Sequence, residues 1–315
     1  MNRPCCFVKM RFIGSGKICA FHIRGIASLA KIRHALLMKK LIPIFVALAV
    51  ALTSAQGGEW KTLFDGKSLD GWKGLDFWSV KDGTIFGETT EAKPTKGNTF
   101  LILQDEVVTD FEFTCQVKFG GNNSGVMYRS NTVDEANFVM AGYQADLHPK
   151  AEYFGMLYGE KFGKRGIVAQ RGQRVVTKAD GSKAVVNAIG DDAKLVDTEW
   201  NELRVVAVGD RILHFVNGQI TMDLTENHPD AIAKGQIGLQ LHAGPAMWVN
   251  FKDLKLRHLE GDEAKAVLAE GVAISDKSAK PAPKPIPAKG KGKGKGKAGK
   301  KAAAAPAQKK TTQRG

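Results

Sequence analysis

Polar side chains recur at every second position in two segments of this chain that otherwise read as β-strands. In the segment GYQADLH, Gln144, Asp146 and His148 share one face if the strand continues that far. In the segment QIGLQLH, Gln240 and His242 share the face opposite the leucines. Amide, carboxyl and imidazole groups lined along one sheet face supply directed hydrogen bonds and groups for proton transfer. These positions are the first candidates for binding and acid–base chemistry.

Two further residues carry charges where a strand or loop could present them to a ligand. In the segment SGVMYRS, Arg129 shares a strand face with Gly125 and Met127. Glu160 follows GMLYG with Arg165 five residues on, so an ion pair and an acid–base role are both open for Glu160. Each candidate also has a structural alternative. His242 could be a turn histidine, Asp146 could cap the turn before His148-Pro, and Arg129 could pair with a surface carboxylate.

The familiar catalytic signatures are not found in the sequence. There is no P-loop, no zinc-binding HExxH, no nucleophile elbow and no dinucleotide glycine fingerprint. The chain offers instead polar residues on strand faces, and their spacing alone does not define an active site.

The elements that must position these residues are predicted to be β-strands almost throughout. Phe111 to Phe119 alternates apolar and polar residues, which predicts a half-buried strand and makes Cys115 a core residue. Turn signals at Asp82-Gly83 and Asn217-Gly218 separate apolar runs, and 203–224 is predicted to be a three-stranded meander. About a dozen short strands predict an all-β, two-sheet antiparallel β-sandwich or jelly roll in a single domain. On a concave face of such a sandwich, polar groups with aromatic side chains typically bind sugar-sized ligands.

A secretory signal peptide is predicted at 38–55. Two lysines follow Met38, residues 41–52 are apolar apart from one proline, and small residues precede the predicted cleavage. Residues 1–37 then represent a start-site artefact, with an unusually long basic n-region as the alternative. The apolar run is too short for an ordinary transmembrane helix. We therefore expect a secreted or periplasmic protein that is not integral to the membrane.

The strongly basic overall charge of +14 belongs to the two ends of the chain. Residues 1–55 and 277–315 hold 22 Lys and Arg and no acidic residue, so 56–276 carries a net charge of −8 and does not indicate a nucleic-acid partner. The Lys/Ala/Pro/Gly-rich segment 277–315 is predicted to be disordered, and 261–276 a short terminal helix or linker. The tail is either a tether to an anionic envelope polymer or a solubilising extension.

Several motifs taken together resemble the 3-keto-disaccharide hydrolase domain family. They are LFDGKSLDGW (63–72), NSGVMYRS (123–130), GYQADLH (142–148), GMLYGE (155–160), HFVNGQ (214–219) and GLQLHAGPAMWVNFKDLKL (238–256). The resemblance runs from about Trp60 to Leu259. It implies a concanavalin A-like jelly roll over residues 56–260 and hydrolysis of a di- or oligosaccharide already oxidised to a ketone at C3.

The resemblance also implies roles for the candidate residues. A C3 ketone acidifies the C2 proton, so a base removes it, the C1 substituent leaves by elimination, and water adds to the enone. His242 or Asp146 is then the base, and Arg129 helps to stabilise the enolate oxygen. Glu160 protonates or positions the leaving group. The residues expected to contact substrate are Gln144, Gln240, Tyr128, Tyr158 and Arg165.

No cofactor is certain from the sequence, although a divalent cation is a candidate. Asp146 with His148 could hold such a cation in place of Arg129 as the electrophile. Two other functions remain open: a lectin-like module that binds carbohydrate without catalysis, and an envelope scaffold tethered by the basic tail.

Overall fold

The computed structural model describes residues 58–190 and 199–282. The predicted start-site segment 1–37, the predicted signal peptide 38–55 and residues 283–315 of the predicted tail lie outside the described residues.

The described residues form eighteen β-strands, one helix α1 (Gly261–Ser278) and a 3-10 turn at Leu75–Phe77. The strands are β1 (Lys61–Thr62), β2 (Trp72–Lys73), β3 (Trp78–Lys81), β4 (Thr84–Thr89), β5 (Thr99–Leu103), β6 (Phe111–Gly120), β7 (Ser124–Asp134), β8 (Val139–Leu147), β9 (Leu157–Glu160), β10 (Gly166–Ala169), β11 (Gln173–Thr177), β12 (Lys183–Ala188), β13 (Asn201–Val208), β14 (Arg211–Val216), β15 (Gln219–Thr225), β16 (Gln236–Leu241), β17 (Met247–His258) and β18 (Lys280–Pro281).

The strands pair into two sheets. The larger sheet has the order β18-β12-β11-β15-β14-β13-β6-β17-β4-β3, with β1 beside β17, and the smaller has the order β10-β9-β8-β7-β16-β5-β2. The pairings are antiparallel except that of β11 with β15. The chain passes repeatedly between the sheets, and the late strands β16 and β17 insert between early strands, as in a jelly roll. The predicted all-β sandwich is therefore confirmed.

The core lies between the sheets and follows the period-two pattern of the sequence. Along β6 the residues from Phe111 to Phe119 that were expected to face inward are buried, including Cys115, whose burial raises the pKa of its thiol well above the ordinary value. The predicted meander is also confirmed, because β13 pairs with β14 and β14 with β15.

Helix α1 covers the outer face of the larger sheet. Val267 and Leu213 belong to one apolar cluster, and a Cβ at Gly271 would lie 2.5 Å from a methyl group of Leu213. The helix extends two residues beyond the predicted boundary, and β18 then pairs with β12. No helix within 58–190 and 199–282 is long and apolar enough to cross a membrane.

Candidate active site

The outer face of the smaller sheet carries a cavity of about 780 Å³. Alternation along β8 turns Tyr143, Ala145 and Leu147 into the core, so Gln144 and Asp146 point outward. One end of this outer face is filled by a small apolar cluster that includes Phe100, Ile102, Met127 and Met140. The polar remainder of the face forms the cavity.

Seven of the ten residues singled out from the sequence line this cavity: Gln144, Asp146, His148, Tyr158, Glu160, Gln240 and His242. They come from β8, β9, β16 and the residues that follow β8 and β16. The expected common hollow therefore exists, although Arg129, Tyr128 and Arg165 lie elsewhere.

Two amide side chains form the floor of the cavity. Gln144 Nε2 donates to Gln240 Oε1 at 3.0 Å, and Gln240 Nε2 donates to Gln144 Oε1 at 3.2 Å. Strand β7 separates their strands, and Gly125 of β7 has no side chain between them. A Cβ at Gly125 would lie 2.0 Å from Gln144 Nε2, so glycine is required for this contact.

Asp146 is a buried carboxyl group beside this amide pair. It is 3% exposed, and its Oδ1 accepts a hydrogen bond from Gln144 Nε2 at 3.3 Å. Burial raises the pKa of Asp146 from its ordinary 3.8 to about 7; the nearby charge of Glu160 also raises it, and a hydrogen bond from Asn123 opposes the shift. At neutral pH this carboxyl group is therefore able both to give and to accept a proton.

Glu160 is held by an asparagine that also supports the histidine loop. Asn98 Nδ2 donates to Glu160 Oε1 at 3.2 Å, while Asn98 Oδ1 accepts the backbone N–H of Ala243 at 3.0 Å. Glu160 does not form the ion pair with Arg165 that the sequence left open, because Arg165 pairs with Glu226. One amide thus fixes the carboxylate and the residue after His242 together.

His242 is oriented by its own loop. Its Nδ1 lies 2.6 Å from the carbonyl oxygen of Ala243, and Asn122 Nδ2 is more distant at 3.4 Å. A carbonyl oxygen can only accept, so this contact assigns a proton to Nδ1, and the lone pair of the neutral ring is then on Nε2. His242 is partly buried and lines the cavity, so Nε2 is the atom suited to take a proton from a ligand.

His148 has a different role at the rim. Its Nδ1 accepts the backbone N–H of Lys150 at 2.9 Å, and its ring packs edge-on against Tyr153 at 5.0 Å. Burial and then the charge of Lys150 lower its pKa. The imidazole is therefore favoured in its neutral form, with Nε2 carrying the proton.

The sequence analysis missed residues that lie just beyond strand ends. Asn98 and Asn123 line the cavity, as do Tyr153, Lys161 and Lys164. Extending the period-two pattern backward from Phe100 and Gly125 would have assigned both asparagines to this face. The lysines lie in the turn after β9, where no strand pattern exists to predict their direction.

The structure places Arg129 outside the cavity, so its predicted role in the site is wrong. Its φ of 44° coincides with a register shift in β7, and this bulge turns the side chain away from the cavity. The guanidinium donates to the carbonyl oxygens of Thr109 (2.7 Å) and Gly209 (2.9 Å) and to Asp110 (3.1 Å). Arg129 joins the segment before β6 to the β13–β14 turn and is not available to an enolate in the cavity.

Tyr128 is likewise placed away from the cavity. It is 1% exposed in the core, and its hydroxyl lies 2.7 Å from Nε2 of His214, whose Nδ1 faces the Gly155 carbonyl oxygen at 3.2 Å. Burial lowers the pKa of His214 to about 4, so the imidazole is neutral and accepts from Tyr128. This pair is a hydrogen-bonded part of the core.

Arg165 also lies outside this cavity. It pairs with Glu226 at 2.7 Å and packs over the rings of Phe162 and Tyr143. Alternation could not predict the direction of this side chain, because Arg165 lies in the connection between β9 and β10.

Asp146 and His148 are the residues from which the sequence predicted a candidate cation site. Among the described residues, no group of three or more His, Cys, Asp and Glu side chains is arranged to hold a metal ion. Asp146 and His148 both line the cavity, but Nδ1 of His148 is occupied by Lys150. Among the described residues, Asp146 and His148 therefore have no third His, Cys, Asp or Glu side chain with which to hold a cation.

Solved structures with related folds were found at low similarity. A crystal structure of a putative glycosyl hydrolase from Parabacteroides distasonis is 20% identical, with 64% of this chain and 100% of that chain covered and a TM-score of 0.42. A carbohydrate-binding module from Bacillus subtilis is 16% identical, with 64% and 97% covered and a TM-score of 0.38. These values carry no argument about activity. No curated protein matches the chain.

A family model described as the 3-keto-alpha-glucoside-1,2-lyase-like domain matches residues 59–257, which is more than half of the chain. The match spans every strand from β1 to β16 and all seven predicted residues of the cavity. It confirms the resemblance seen in the sequence motifs and supports a carbohydrate-related function. The chain belongs to the 3-keto-alpha-glucoside-1,2-lyase-like domain family.

Proposed function

We propose that this protein cleaves the glycosidic bond of 3-keto-glycosides by removing the C2 proton, eliminating the C1 substituent and adding water to the product. The observation that carries the proposal is one cavity that holds Asp146, with a pKa of about 7, together with His242, whose Nδ1 is held by the carbonyl oxygen of Ala243. An elimination needs both a proton acceptor and a proton donor, and we assign these roles to Nε2 of His242 and to Asp146.

In the first half of the reaction, Nε2 of His242 takes the proton from C2, which the C3 ketone has acidified. The electron pair of the C2–H bond forms the enolate, and its collapse breaks the bond between C1 and the leaving oxygen. Asp146, in its protonated form, gives its proton to that oxygen. The products are the free alcohol and an enone.

The second half of the reaction restores the starting protonation states of Asp146 and His242. The Asp146 carboxylate takes a proton from water as the oxygen of that water adds to C1, and the His242 imidazolium returns a proton to C2. Atoms and charges balance, and the enzyme regains its starting protonation state. Glu160 supports this cycle by keeping the pKa of Asp146 high through its nearby charge.

The enolate oxygen needs a positive partner other than Arg129. Lys161 and Lys164 line the cavity and are the cations we assign to it. Gln144 and Gln240 then orient the sugar hydroxyl groups, and Tyr158 offers its ring to an apolar sugar face.

The test is to incubate the full purified protein with a 3-keto-glucoside that has a chromogenic aglycone and with the matching glucoside that carries a C3 hydroxyl group. We expect release of the aglycone from the ketone alone, with a rate reduced when C2 carries deuterium. His242→Ala should lower kcat about a hundredfold or more. Glu160→Gln should lower it as well, whereas Glu88→Gln, an exposed change on the other sheet, should not.

Binding of the 3-keto-glucoside without release of the aglycone would overturn the catalytic proposal in favour of a carbohydrate-binding module. Cleavage of the unoxidised glucoside at the same rate would also overturn it, because elimination requires the ketone.

We infer that the reaction takes place outside the cytoplasm, from the signal-peptide pattern at 38–55. N-terminal sequencing of exported protein should begin near residue 56. Deleting 283–315 should release the protein from an anionic envelope polymer if the tail is a tether, and retention of the shortened protein would contradict that role.

A further inference from the structure

A second cleft, of about 550 Å³, lies between the turn after β9 and the β11–β12 edge of the larger sheet. Lys164, Arg165 and Lys183 line it, and Asp230, with an exposed side chain, is the carboxylate among its lining residues. This concentration of positive charge is unusual in a domain whose net charge is −8.

Arg165 has hydrogen-bonding capacity that the protein leaves unused. Its side chain is 7% exposed, and Nη2 donates to Glu226 Oε2 at 2.7 Å, while the buried Nη1 has no partner among the described residues. Glu226 has no acceptor site left for Nη1, because its oxygens also accept from Tyr143 and Thr177 and from the backbone of His228. An unpaired buried guanidinium N–H is costly, which favours an additional acceptor.

Lys183 lies close enough to Arg165 for their charges to repel. Its ammonium donates to the carbonyl oxygens of Ile167 and Val168, which leaves one of three N–H bonds unassigned. Burial and the charge of Arg165 lower its pKa. An anionic ligand in the cleft would relieve the repulsion between these two cations.

His228 adds a neutral donor to the same cleft. Its Nδ1 accepts the backbone N–H of Asp230 at 3.0 Å, which assigns the proton to Nε2. Nε2 lies toward Gly181, another lining residue, where an added Cβ would be 3.4 Å away. The cleft therefore combines cationic and neutral donors, as a site for a multivalent oxyanion does.

We propose that this cleft binds an oxyanion, a carboxylate or sulfate group carried by the saccharide that occupies the neighbouring cavity. Lys164 lines both the cleft and the cavity, so one ligand can reach the two sites. The saccharide part rests on the proposed function, whereas binding of the oxyanion itself does not. The protein then prefers acidic glycosides over neutral ones.

The test measures affinity of the full protein by calorimetry at low ionic strength, with inorganic sulfate, a sulfated disaccharide and the neutral disaccharide. We expect saturable binding of sulfate, and at least roughly tenfold tighter binding of the sulfated disaccharide than of either sulfate or the neutral sugar. Lys183→Gln should weaken both anionic ligands by roughly tenfold or more, and Lys178→Gln, the same charge change at a nearby exposed lysine, should not.

Two outcomes would overturn the proposal: no saturable sulfate binding, or equal effects of Lys183→Gln and Lys178→Gln. Equal affinity for sulfate and the sulfated disaccharide would overturn the saccharide assignment and leave a site for a free anion. Should Lys183→Gln not fold, His228→Ala provides the same comparison through loss of the Nε2 donor. Failure to cleave 3-keto-glucosides leaves the sulfate titration unaffected, so the two proposals fail separately.

Discussion

Gln144 and Gln240 exchange two hydrogen bonds although a whole strand lies between their own strands. The contact exists because Gly125, on the intervening strand, has no side chain to keep the amides apart. This relationship ties the β8 half of the cavity, with Asp146, to the β16 half, with His242. The geometry of the proposed acid–base pair therefore depends on a residue that touches neither reacting group.

Gly125→Ala should damage the site without removing any polar group from it. A Cβ placed 2.0 Å from Gln144 Nε2 must displace the amide, and overpacking of this kind costs about 1–3 kcal/mol of stability. We expect kcat/KM for a 3-keto-glucoside to fall roughly tenfold as the floor shifts. Gly97→Ala is the control, because a Cβ there has open space. Equal kinetics for the two variants would refute the role of Gly125.

Asp146→Asn should increase stability in a pH-dependent manner. The unfolded carboxyl group ionises near its ordinary 3.8, whereas the folded one ionises near 7. Between these values the folded state binds more protons, so the contribution of Asp146 to stability falls as pH rises from about 4 to about 7. The penalty above pH 7 is about 4 kcal/mol, and Asn avoids it while it still accepts a hydrogen bond from Gln144.

Urea unfolding of the wild type and Asp146→Asn at several pH values between 4 and 8 provides the measurement. The stability difference should be smallest at pH 4 and reach its full size by pH 8, while activity is lost at every pH. A difference that does not change with pH would contradict the raised pKa.

Arg129→Met should reduce stability and leave kinetics intact. Its guanidinium satisfies two carbonyl oxygens and Asp110, and loss of hydrogen bonds to a charged group costs roughly 1.5–3 kcal/mol. KM and kcat of the folded variant should match the wild type, since Arg129 lies outside the cavity. Lys67→Met, at an exposed position, serves as the control for loss of a cation. A fall in kcat of the folded Arg129→Met protein would restore the sequence-based role.

Val267→Asp should show that helix α1 is part of the domain. Val267 is 7% exposed and packs in the cluster that covers the larger sheet, so burying a charge there should cost roughly 2–4 kcal/mol. Ala266→Asp, on the exposed side of the same turn, should cost little. Thermal unfolding of both variants measures the difference. Equal melting temperatures would mean that the helix contributes no stability.

The local pattern of the sequence was sufficient for the sandwich and for much of the cavity. Period-two alternation depends only on backbone geometry, so it correctly assigned Gln144 and Asp146 to the outer face and Cys115 to the core. The same rule failed at Arg129, because a bulge with positive φ changes the alternation and no residue type announces it. It also could not apply to Arg165, which lies in a turn.

The sequence by itself therefore determined the strands with clear alternation, the faces of most of their side chains, the family motifs and the basic ends of the chain. The tertiary structure alone decided which faces meet: it inserted β16 beside β7, brought Asn98 to Glu160, and enclosed Asp146 so that its pKa rises. The physical reason is the sequence separation over which each effect acts. Alternation and turn preference act between neighbours in the chain, whereas strand order, burial and the field of a distant carboxylate depend on residues far apart in sequence.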